Sequence, residues 1–210
     1  GTFGIAIHIH VIDCYGTHVE NNTLTGPAGT GIKIAGGNGF TIRNNSLSAF
    51  QFGIFVEYDG FTPVDGVIII DNLVVDYEIG VSLNHTVNAM VVNNTLLNNG
   101  GIEFQYGVNL EDCEYVIVNH NDVAGGSIGI LVYTGRYIWM EGNSLEANMG
   151  VILFDAYQVY VLNGTVDCLT TQFGGGGGVA IYESSDITIS NLTITEGDVG
   201  VYVDGSSFNI

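Results

Sequence analysis

The stretch Gly31-Ile32-Lys33-Ile34-Ala35-Gly36-Gly37-Asn38-Gly39-Phe40-Thr41-Ile42-Arg43-Asn44-Asn45-Ser46-Leu47 holds two short runs in which apolar residues alternate with other residues. Its opening phrase is a glycine, an apolar residue, any residue and a second apolar residue. That phrase returns nine times, at Gly4, Gly31, Gly53, Gly80, Gly107, Gly129, Gly150, Gly178 and Gly200. The intervals are 27, 22, 27, 27, 22, 21, 28 and 22 residues, a unit of roughly 22 with occasional additions. A period of this size is the signature of stacked supersecondary units.

The closing phrase, an alternating run ending in a small polar pair, locks the register. Its first member reads Asn21, Asn44, Asn72, Asn93, His120, Gly142, Asn163 and Asn191. In six of eight coils it falls 13 residues after the glycine, and insertions in coils one and three lengthen this to 17 and 19. Asparagine and glycine tolerate a left-handed backbone. The second member includes Leu73 and Leu192, so the tight bend is expected in the first column, with asparagines hydrogen-bonded there from coil to coil.

Period-two alternation, as in Ile54 and Val56 or Val81 and Leu83, makes these segments strands. The 31 glycines are too many for helix interiors. The expected fold is all-β: a single parallel solenoid of about eight to nine coils, roughly 40 Å long at about 4.8 Å per coil. It is expected to occupy residues 1–210 as one domain without end caps. At this point the chain resembles the right-handed parallel β-helix proteins, the architecture of pectate lyases and of NosD-like repeats on archaeal cell surfaces. Gly-Ile-x-Ile followed by Ile-x-Asn-Asn-x-Leu, from Gly31 to Leu47, carries the resemblance, and it spans Gly4 to Val203. It implies that the solenoid is a single right-handed parallel β-helix and leaves activity open, because many functions share this scaffold.

Charge narrows the partners. Lys33, Arg43 and Arg136 face 22 acidic residues, a formal charge of −19. Nucleic acid needs clustered lysine and arginine, so it is excluded as a partner. No run approaches a membrane-spanning helix, and no leader pattern is present; membrane insertion is not expected. Three basic residues leave few trypsin sites, which suits an extracellular protein of the cell envelope.

Cys14, Cys113 and Cys168 are an odd number, so at least one thiol has no internal partner. Cys14 and Cys113 lie four coils apart, beyond disulfide reach. Either all three are unreactive thiols or they form intermolecular disulfides. Six Asn-x-Ser/Thr sequons occur, at Asn21, Asn44, Asn84, Asn93, Asn163 and Asn191. Five are turn asparagines with a structural reason to exist. Asn84 lies off the turn and is the expected glycosylation site.

Catalytic motifs are scarce. The Asn-Thr-Asp, Asp-Asp, Gly-His-Gly and Arg-Ile-Lys series that marks polygalacturonase-type hydrolases is not found, and the scattered basic residues do not fit a pectate-type lyase, so an enzyme is not expected. Glu57, Asp59, Glu111 and Asp112 cluster near strand ends. They are either a solvated acidic edge or oxygen ligands for calcium, and no other cofactor is expected. His8, His10 and His18, with Asp13 or Cys14, have transition-metal ligand chemistry; outward strand residues are the plainer account.

The outer surface says more. The residue three before the turn reads Ile69, Met90, Ile117, Trp139 and Tyr160 over five consecutive coils. Such a stripe on an outward face marks an interaction surface or a face covered by the chain's own insertions. The expected function is an extracellular structural subunit that stacks head-to-tail and packs laterally through this stripe into a layer, sheath or filament. Its partner would be further copies of itself. In general character it resembles the sheath or surface-layer proteins of methanogenic archaea. The alternative is a β-helix module that binds or cleaves cell-surface polysaccharide, with Glu57, Tyr58 and Glu111 as candidate groove residues.

Overall fold

Strand pairing in the computed structural model, which describes residues 9–99, 105–169 and 176–205, is parallel in every case. Each coil contributes three strands. In coil five these are Tyr106–Glu111, Glu114–Asn119 and Asp122–Ala124. First and second strands of successive coils build an 18-stranded sheet bent around a corner, and third strands build an 8-stranded one. Eight coils of three strands, with the second strand of coil three split into Val64–Asp65 and Ile68–Ile70, and a first strand Val199–Asp204 above them, make up the described solenoid. The all-β parallel architecture is the one expected from the repeats.

Alternation explains the core. Inward positions stack in columns such as Ile54, Val81 and Val108 from first strands, and Leu47, Val74 and Leu96 from third strands. These side chains are essentially inaccessible. Burying each aliphatic residue contributes about 1.5–3 kcal/mol, repeated on every rung.

The opening glycine has a packing reason. A Cβ placed on Gly107 would lie 2.6 Å from the Gly129 carbonyl oxygen of the next coil and 2.4 Å from Val123 Cγ1. Consecutive backbones approach too closely there for any side chain. Left-handed residues turn the corners, among them His85, Asp112 and Asp155 between first and second strands, and Asp13 near the end of a first strand.

Three frame assignments need correction. The strand stacked beneath Ile32 and Ile34 is Ile9 and Val11, not the phrase at Gly4, which lies outside the described residues. Coil one therefore has no insertion before Asn21. In coil three the left-handed residue is Asp71 (φ 57°), not Asn72. The column of left-handed turns is thus Asn21, Asn44, Asp71, Asn93, His120, Gly142, Asn163 and Asn191.

The hydrogen-bonded ladder is the next column along, not the first. Asn22, Asn45, Asn72, Asn94, Asn121 and Asn143 point inward, and all but Asn22 are buried. Each of the first five takes its neighbour's carboxamide oxygen on both its backbone N–H and its side-chain Nδ2, at 2.9–3.0 Å. Spare Nδ2 protons go to main-chain carbonyls, as from Asn94 to Ile69 and Val92. A buried polar column is tolerable because it is satisfied at every rung.

Candidate binding face on the outer wall

The same one-residue slip changes the outward stripe. Pairing aligns Ile68 with Met90, Met90 with Ile117, Ile117 with Trp139 and Trp139 with Tyr160. Ile69, expected in this stripe, is instead a core residue with no exposure. Ile68, Met90 and Trp139 are each exposed by 37–39%, too much for an ordinary packed position. Ile117 and Tyr160 are half-buried.

A second aromatic column flanks this stripe two residues upstream in coils five and six and three residues upstream in coil seven. Tyr115 and Tyr137 are stacked with ring centroids 4.7 Å apart, and Tyr157 meets Tyr137 edge-on at 6.1 Å. All three are exposed. Trp139 and Tyr160 lie 5.0 Å apart on the same wall. Coils five to seven therefore carry five aromatic rings on one outer face, an arrangement absent from the sequence expectation. The signal was present in Tyr115 and Tyr137, which stand two residues before Ile117 and Trp139 on the same outward alternation, but the stacking of rings from neighbouring coils does not show within one coil.

Glu141 anchors the face. Its carboxylate accepts the Trp139 indole N–H at 3.2 Å and the Asn163 side-chain N–H at 2.9 Å. The Trp139 and Asn163 hydrogen bonds hold its pKa below the usual value, with a smaller contribution from nearby His120. A single tryptophan is thus held in a defined orientation at the centre of the stripe.

Around the corner, coils two to six carry a polar group. Lys33 pairs with Glu57 at 2.7 Å, and Asn84 donates to Glu111 at 2.9 Å. His85 stacks on Tyr58 with centroids 5.2 Å apart and faces Asp112 at 3.4 Å. Thr134 donates to Asp112. Asp59 is elsewhere: it meets Asp13 across Gly36 and accepts the Phe61 and Thr62 amides. Their contact raises the Asp13 pKa, whereas the two amides lower that of Asp59. The four carboxylates expected as calcium ligands are therefore not brought to one point. Among the described residues no group of three or more acidic, histidine or cysteine side chains has metal-holding geometry. His18 pairs with Glu20, and His8 lies outside the described residues.

The model of a right-handed beta helix region matches residues 6–166. The chain belongs to the right-handed β-helix family. No curated protein sequence matches it. Among solved structures, this β-helix is similar to a double mutant of a periplasmic alginate epimerase, at 16% identity and a TM-score of 0.65. That match covers 91% of this chain and 50% of the epimerase. The surface protein and adhesin PfbA of Streptococcus pneumoniae aligns at 13% identity and a TM-score of 0.60, over 95% of this chain and 68% of the adhesin. Tailspike protein 3 of bacteriophage CBA120 aligns at 11% identity and a TM-score of 0.58, over 94% and 38%. The chain thus spans half the length of the epimerase and less of the tailspike. Identities this low establish a shared fold.

Two further expectations change once this β-helix is in view. Cys113 and Cys168 are buried, and burial pushes the Cys113 thiol up to about 12. Only Cys14 is partly exposed, so three intermolecular disulfides per chain are not available; one reachable thiol cross-links two chains at most. Asn84 is also a poor acceptor: its carboxamide is held by Glu111 and His85, and its sequon partner Thr86 is fully buried.

Proposed function

We propose that this β-helix is a module of the cell exterior that binds a neutral polysaccharide along the outer face of coils five to seven. The observation that carries this reading is the outward aromatic set of exposed Tyr115, Tyr137, Tyr157 and Trp139 with half-buried Tyr160. Aromatic rings offer sugar C–H faces a large apolar surface, and phenol and indole groups at their rims add hydrogen bonds. Rungs about 4.8 Å apart are close to the length of one sugar ring. A surface of charge −19 disfavours acidic glycans and leaves neutral ones. The epimerase, tailspike and adhesin with the same fold support an envelope setting by analogy. Binding without bond cleavage fits an outer wall on which Glu57, Glu111 and Asp112 are each engaged by a neighbour.

Trp139 is the natural reporter. Titration with soluble neutral glucans, xylans and galactans should shift its fluorescence, and Tyr137→Ala should abolish the shift while leaving the unfolding midpoint near wild type. Unchanged fluorescence, together with unretarded migration in gels containing each polysaccharide, would refute the reading.

A second reading has its own observation. Ile68, Met90 and Ile117 continue the stripe as aliphatic groups, which suits burial against a second copy. Lateral assembly into a layer or sheath would then use this face. Sedimentation separates the two: binding predicts a monomer at high concentration, whereas assembly predicts ordered oligomers that Met90→Glu disperses.

A further inference from the structure

The six sequons are not equivalent in the folded protein. Asn21, Asn44 and Asn93 are exposed and left-handed, with φ of 58°, 53° and 53°. Their carboxamides make no hydrogen bond among the described residues, because the inward asparagine next to each one carries the ladder. Asn163 and Asn191 are tied to each other at 3.1 Å, and Asn163 also to Glu141. Asn84 is held on both sides.

Backbone conformation does not by itself explain the free three. At the preceding corner the same left-handed geometry is met by His85, Asp112, Thr134, Asp155 and Glu183. Aspartate relieves the steric cost of that conformation as asparagine does, and this chain uses acidic residues freely. At the glycosylatable corner asparagine is chosen instead, and each time a hydroxyl residue follows two places on: Thr23, Ser46 and Thr95 in these coils. Where the turn residue is Asp71 or His120, that place holds Leu73 or Asp122, and Gly142 is followed by Ser144. A hydroxyl residue thus follows all five turn asparagines but one of the three other turn residues, a pairing that a modification signal requires and a turn does not.

We propose that Asn21, Asn44 and Asn93 are N-glycan acceptors that line one edge of the rod. The donor is an oligosaccharide linked through C1 to a prenyl pyrophosphate. The carboxamide nitrogen bonds to C1, the C1–O bond to pyrophosphate breaks with its electron pair leaving on the prenyl pyrophosphate, and the nitrogen gives up one proton to the transferase base. The unmodified turns His120 and Gly142 lie beside Ile117 and Trp139, so the glycans leave the aromatic face open.

The test uses the folded protein incubated with a single-subunit oligosaccharyltransferase and its prenyl-pyrophosphate oligosaccharide, followed by mass spectrometry of chymotryptic glycopeptides. A urea-unfolded sample runs alongside. The expected result is modification at Asn21, Asn44 and Asn93 of the folded chain, with Asn84 modified only after unfolding. Each of Asn21→Gln, Asn44→Gln and Asn93→Gln should remove one glycan mass. No added mass on the folded chain, whatever the control shows, overturns the proposal. So does modification of folded Asn84, Asn163 or Asn191 in preference to the three.

Discussion

Replacing Asn94 with leucine tests the ladder at its centre. Asn94 is 1% exposed. Its Oδ1 accepts the Asn72 amide at 3.0 Å and Asn72 Nδ2 at 2.9 Å. Its Nδ2 donates to the Ile69 and Val92 carbonyls and to Asn121 Oδ1 at 3.0–3.1 Å. Leucine fills nearly the same space but supplies none of these. Asn72 Nδ2 keeps the Ile42 and Ile70 carbonyls, and Asn121 Oδ1 keeps the residue-94 amide. The Asn72 amide loses the partner that Asn94 provided, whereas the Ile69 carbonyl keeps the sheet amide of Val92. At about 1–3 kcal/mol for an orphaned buried group, and with the further side-chain bonds lost, Asn94→Leu should cost about 1–3 kcal/mol or more. Asn93→Gly, one residue away, alters an exposed side chain at a left-handed position that glycine adopts freely, and should stay within about 1 kcal/mol. Urea unfolding followed by circular dichroism measures both. Because solenoids need not unfold in one step, amide hydrogen exchange should show the loss concentrated in coils three to five. Equal midpoints for the two variants, or wild-type stability for Asn94→Leu, would refute the assignment of the load to the inward column.

Other consequences follow from single contacts. Gly107→Ala forces a methyl group against the Gly129 carbonyl and should cost about 1–3 kcal/mol, whereas Gly200→Ala meets nothing within 4 Å and should be nearly neutral in the same unfolding assay. The folded-state pKa of Glu141 lies below its ordinary value of 4.5. Its ionised clamp on Trp139 is therefore present above that value and lost as pH falls through the lower one. Trp139 fluorescence should change with a midpoint below 4.5, Glu141→Gln should lack this transition, and a midpoint at or above the ordinary value would count against the clamp. A thiol reagent at pH 8 should label Cys14 first and reach Cys113 and Cys168 only on unfolding; equal rates for all three would contradict their burial.

Much of the candidate face was legible in outline. Met90, Ile117, Trp139 and Tyr160 stand three residues before their turns, and a simple count finds them. Ile69 was misplaced because coil three carries an insertion, so the count from Gly53 no longer fixes which residue turns. In a strand a slip of one residue exchanges the inner and outer faces, and that slip moved Ile69 out and Asn72 to the wrong column. The tyrosine ladder keeps the period of two at Tyr115 and Tyr137, but only pairing between coils stacks its rings. Neither can be recovered from one coil alone; both follow once neighbouring coils are paired.

The sequence by itself determined the solenoid, its rungs and its acidic character, because a repeated glycine and a period of two are local properties that every coil restates. Tertiary structure decided which of two adjacent asparagines bears the hydrogen-bond ladder, which cysteines can be reached and which carboxylates meet. Those depend on registration between coils 22 to 28 residues apart. There the requirement that every buried polar group find a partner selects one alignment among several that the pattern allows.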